Sequence, residues 1–74
     1  MIMMEEDTRG AFTAKDPITQ DVIWTSIIRN TDTKPGQLAL VKLYARSIAR
    51  AHMQVVRICF DSGNHEDVNP SGDL

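Results

Sequence analysis

The sequence predicts a small α+β domain of (β)βαβ order: a short antiparallel or mixed sheet, one amphipathic helix packed on one face, and flexible acidic termini. Three observations carry this expectation. The segment Pro35 to Met53 has the period of a helix, two flanking segments have the composition of strands, and both ends of the chain are polar. Seventy-four residues allow a single small domain.

The helix is the clearest element. Leu40, Val41, Tyr44, Ala45, Ile48, Ala51 and His52 fall on one side of a helical wheel, and Lys42, Arg46, Arg50 and Gln54 on the other. Pro35 suits a first-turn position, where its missing N–H costs nothing, and it biases Lys34 away from helical geometry. Gly36 weakens that first turn slightly.

After the helix, Val55 to Phe60 reads as a strand, with Val56, Ile58 and Phe60 on one face and Val55, Arg57 and Cys59 on the other. Asp61-Ser62-Gly63-Asn64 reads as a turn or an exit into the tail. Before the helix, Asp21 to Arg29 is dense in β-branched residues. Its apolar side chains have no helical moment, so strand is favoured, although Asp16-Pro17 is also a good helix start. Ala11 to Ala14 is expected to pair with it through a turn at Lys15-Asp16-Pro17. Residues 1–9 are expected to be a flexible segment, residues 10–60 the single folded domain, and residues 61–74 a flexible acidic tail.

A core of this size rarely supplies more than about 3–5 kcal/mol, so small domains often add a disulfide, a metal or a second subunit. Cys59 is the lone cysteine, which excludes an internal disulfide and favours a reducing compartment. The acidic run Glu5-Glu6-Asp7 does not fit a signal peptide, and no apolar run approaches a membrane span. A cytoplasmic protein with no membrane contact is expected. One helix covers one face of a sheet, leaving Ile23, Ile27, Val55 and Cys59 on the other, so these four are the candidate face for a homodimer.

The residues that would carry catalysis are missing. His52 lies beside the apolar helix face, where packing is its ordinary role. His65 stands in the acidic tail, and Cys59 has only Arg57 to favour a thiolate. Cys59, His65, Glu66 and Asp67 match no usual zinc spacing, and the scattered glycines form neither a P-loop nor a dinucleotide fingerprint. No catalytic residue, metal ligand or cofactor is assigned, and the chain reads as non-enzymatic.

The remaining signal is charge. Between Thr33 and Phe60 stand five basic residues and no acidic one, in a chain of net charge -2. Lys42, Arg46 and Arg50 recur every four residues and so stack along one helix face, and with Arg57 they are the candidate partner-binding residues. A pI near 5.5 and acidic flanks favour a protein partner with an acidic surface over nucleic acid, which remains the alternative. Phe12, Trp24, Tyr44 and Phe60 fall at expected core positions and offer no stacking platform for single strands.

In size, acidity, a βαβ core and the lack of a catalytic set, the chain resembles the small single-helix proteins with which phages and mobile elements block host machinery, including some anti-CRISPR proteins. That resemblance implies an inhibitor acting by occlusion. Were Asp16 to Asn30 helical, Trp24 together with Leu43-Tyr44-Ala45 would resemble the small terminase subunits of phages instead.

Overall fold

The first strand forms at the very start of the chain, where Ile2, Met4 and Glu6 alternate with Met3 and Glu5. The computed structural model describes residues 1–26 and 33–71. The elements follow as β1 (Ile2–Glu6), β2 (Phe12–Lys15), β3 (Val22–Thr25), α1 (Lys34–His52), β4 (Val56–Cys59) and β5 (His65–Val68). They build a five-stranded mixed sheet in the order β3-β2-β1-β4-β5, with the helix across one face, which is the small α+β architecture the sequence predicts. The pairs β1–β2, β2–β3 and β4–β5 are antiparallel, while β1 and β4 run parallel.

Within the two segments expected from their polarity to be flexible, residues 2–6 and 65–68 are strands of the sheet. Residues 2–6 supply the central strand, and Ile2 and Met4 are among the largest fully buried side chains. Within the expected tail, residues 65–68 form an edge strand. The physical reason is non-local. A five-residue alternation ending in acids is a weak signal, and β1 buries its apolar face only because β2 and β4 flank it from distant parts of the sequence. For β5, the hairpin carries the strand: Gly63 takes a positive φ of 96°, its N–H reaches Phe60 O, and Phe60 N–H reaches Asn64 O.

Asp16-Pro17 initiates a turn rather than a helix. Asp16 Oδ1 accepts from Ile18 N–H at 2.8 Å and Thr19 N–H at 3.0 Å, and Gln20 adopts a left-handed φ of 66° before β3 begins. With residues 22–25 in a strand, the likeness to small terminase subunits loses its premise. The helix starts at an N-cap one residue earlier than Lys34. Thr33 Oγ1 accepts from Gly36 N–H at 3.3 Å. A Cβ on Gly36 would stand 3.0 Å from that same oxygen, so glycine there makes room for the cap. Met53 closes the helix in the left-handed conformation, its N–H bonded to Ala49 O.

The core joins Ile2, Met4, Phe12, Ala14, Val56 and Ile58 of the sheet to Val41, Ala45, Ile48 and Ala49 of the helix. Phe60 meets Phe12 edge-on, with ring centroids 6.0 Å apart. The buried helix face is narrower than the wheel suggests: Leu40, Tyr44, Ala51 and His52 are exposed, and Ala49 is buried instead.

Candidate protein-binding surface

The helix presents two different strips to solvent. Taking the buried line Val41, Ala45, Ile48 as reference, 100° per residue places Lys42, Arg46 and Arg50 to one side and Leu40, Tyr44, Ser47 and Ala51 to the other. Leu43 lies on the outer crest between them. The two flanks are anchored differently. Lys42 Nζ reaches Glu66 Oε2 on β5 at 3.0 Å. Tyr44 stacks on Trp24 of β3, with centroids 4.8 Å apart and planes 20° from parallel. The cationic strip therefore leans toward β5 and the neutral, apolar strip toward β3.

All three stripe cations are exposed, as the sequence predicts. Arg57 stands apart from them. It lies on the sheet face opposite the helix, where its guanidinium forks onto Asp67 with bonds of 2.8 and 3.1 Å. That hydrogen-bonded pairing holds the Asp67 carboxyl below its ordinary value and raises the Arg57 guanidinium. The geometry thus keeps Lys42, Arg46 and Arg50 together and separates Arg57 from them by the thickness of the sheet.

Among the described residues, the apolar patch expected on the uncovered sheet face does not form. Residue pairing sets two rows across that face, Val22–Lys15–Met3–Arg57–Asp67 and Thr25–Thr13–Glu5–Cys59–His65. Most of these side chains are polar. The register slips between Ala14 and Lys15, and Ile23 at this bulge packs against the core beside Trp24. Val55 and Cys59 are half-buried, and Ile27 lies outside the described residues. β1 changes the outcome, because it inserts Met3 and Glu5 into the middle of the face.

Cys59 stands opposite His65 and beside Glu5, a juxtaposition that chain spacing does not reveal. The thiol is nevertheless pushed above its ordinary value. Burial contributes most and the Glu5 carboxylate adds to it, against the smaller opposing effect of Arg57. A neutral thiol is a poor nucleophile at physiological pH. Among the described residues, no group of three or more His, Cys, Asp and Glu side chains is placed to hold a metal ion.

A cleft of about 810 Å³ opens where the β1–β2 turn, the β4–β5 turn and the start of α1 meet. Two of its carboxylates serve the turns themselves. Glu6 accepts from Asp61 N–H at 2.9 Å, and Asp7 accepts from the amides of Arg9 and Ala11 at 2.8 and 3.0 Å. Gln37 ties the helix to this end of the sheet through Gly10 O at 2.8 Å.

The surface feature that sequence reading missed is the exposed apolar flank. Leu40, Leu43 and Tyr44 are 47%, 59% and 41% exposed, and Val22 is 58% exposed. Leu40 and Tyr44 match the helical period of the core, so they were expected inside; only the width of the sheet contact shows that they are not. Among the described residues, no helix is long and apolar enough to cross a membrane. Comparison of the chain with protein-family models, with characterised proteins and with solved structures finds no match in any of the three.

Proposed function

We propose that this chain is a non-enzymatic protein-binding domain that docks the outer surface of α1 onto a protein partner with an acidic surface and occludes the site it covers. One observation carries the reading: the helix places the cations Lys42, Arg46 and Arg50 directly beside exposed Leu40, Leu43 and Tyr44. Cations flanking a desolvated apolar and aromatic centre are the arrangement that protein interfaces use. Tyr and Arg are also the residue types that most often dominate their energetics. Occlusion requires no chemistry of its own, which accords with a neutral Cys59 thiol. An inhibitor of host machinery carried by a phage or mobile element is the biological setting this mode of action fits.

Nucleic acid fits the same surface less well. Lys42 is already engaged by Glu66, and the pI is near 5.5. The test is to identify partners by crosslinking in source cells and then to titrate the purified partner calorimetrically. Arg46→Glu with Arg50→Glu should weaken binding at least roughly a hundredfold while the circular dichroism spectrum stays native. Unchanged affinity in that variant would remove the reading. So would tight, steeply salt-dependent binding to duplex or single-stranded DNA.

A further inference from the structure

The two edges of the sheet are built differently. The β5 edge reads His-Glu-Asp-Val, and three of its four side chains are exposed and ionisable. Charge of that kind prevents another strand from adding to an edge. The β3 edge reads Val-Ile-Trp-Thr, with no charge, no proline and no glycine. Among the described residues no strand pairs with its outer side, since β3 ends the sheet order. Ser26 N–H bonds inward to Phe12 O at 2.9 Å, so by alternation Thr25 directs its N–H and C=O outward.

Beside this edge lies the neutral flank of the helix. Trp24 is half-buried under Tyr44, and Leu40 and Ser47 continue the strip without a charged group. The cations lean the other way, toward β5.

We propose that the β3 edge is a dimer interface occupied by a second copy of this chain, paired antiparallel about a two-fold axis perpendicular to the sheet. The two five-stranded sheets then join into a continuous one of ten strands, with both helices on the same face. Across a two-fold axis a patch meets the same patch of the other copy, so a net charge on it would be repelled by its counterpart, and the four residues of β3 with the Leu40–Tyr44–Ser47 flank carry none. The occupant must also supply more than a strand. A lone strand would pair with Thr25 and leave the Trp24–Tyr44 stack half in water, whereas a second copy brings its own stack alongside as a cross-strand aromatic neighbour. A four-residue strand is short for an interface, and the aromatic ledge supplies the apolar area it lacks. The dimer leaves both copies of the Lys42, Arg46, Arg50 strip and Leu43 facing outward, while Leu40 and Tyr44 serve the dimer and the partner reading alike; Arg46→Glu tests the partner surface alone and the β3-edge variants test the dimer alone.

The experiment is sedimentation equilibrium of the full chain across concentration, with amide hydrogen exchange read at Thr25. The expected result is a mass rising toward twice 8.3 kDa, with Thr25 exchange slowing as dimer forms. Val22→Lys places a charge on an already exposed edge position and should weaken dimerisation at least roughly tenfold without unfolding the monomer. Thr25→Pro removes the outward donor and leaves the inward bonds of β3 in place, so it should act in the same direction. Arg46→Glu should leave the dimer unchanged. A chain that stays monomeric up to about 1 mM overturns the proposal, as does a dimer that neither edge variant weakens.

Discussion

Replacing Met4 by alanine should remove most of the stability of this domain. Met4 is fully buried at the middle of the central strand, with Ala14 opposite on β2 and Ile58 opposite on β4. Truncating a buried methionine costs about 2–5 kcal/mol, and the cost grows with the cavity left behind. Ala14 is too short to fill the space, so a loss of about 3 kcal/mol or more is expected. A domain of this size holds about 3–5 kcal/mol in all. With roughly 1 kcal/mol remaining, about one molecule in six is unfolded at room temperature. The assay is urea unfolding at fixed protein concentration, followed by far-ultraviolet circular dichroism and by Trp24 fluorescence. Glu5→Gln, on the opposite face of the same strand, is the control and should shift stability by no more than about 0.5 kcal/mol. If Met4→Ala behaved like Glu5→Gln, β1 would not be the centre of the sheet, and the reasoning that places residues 2–6 there would fail.

Three other outcomes are expected. Asp7, Asp16 and Asp67 are all held below the ordinary 3.8, by the Ala11 amide, the Thr19 amide and the Arg57 side chain respectively. In acid the unfolded chain therefore binds more protons. Stability should hold from neutral pH down toward 3.8 and fall as the pH drops through the lowered native values; thermal unfolding against pH reads this, and asparagine at all three positions should flatten the acid limb. Alkylation of Cys59 by iodoacetamide should be slow at neutral pH and accelerate only above pH 9.0, and Glu5→Gln should move that rise to lower pH by removing a neighbouring negative charge. A double-mutant cycle of Trp24→Leu with Tyr44→Ala should return a coupling of about 0.5–1.5 kcal/mol for the stacked pair, whereas no coupling would mean that the rings do not stack in solution.

The sequence by itself determined the elements whose signal is local. The helix follows from its period and from Pro35 near its start. The strand at Val56–Cys59 and the strand at Val22–Thr25 follow from β-branched composition. The charge stripe also follows, because residues four apart on a helix share a face whatever the helix packs against. What only the tertiary structure decided depends on neighbours far away in the chain. Ile2 and Met4 are core residues because β2 and β4 enclose them, and His65 to Val68 is a strand because β4 offers it an edge. Ile23 turns to the core because of a bulge that no periodicity announces. Leu40 and Tyr44 have the helical period of buried residues but remain half in water. The contact of one helix on one sheet is narrower than the apolar arc of that helix, and this surplus at the uncharged edge is where the molecule has apolar surface left to share.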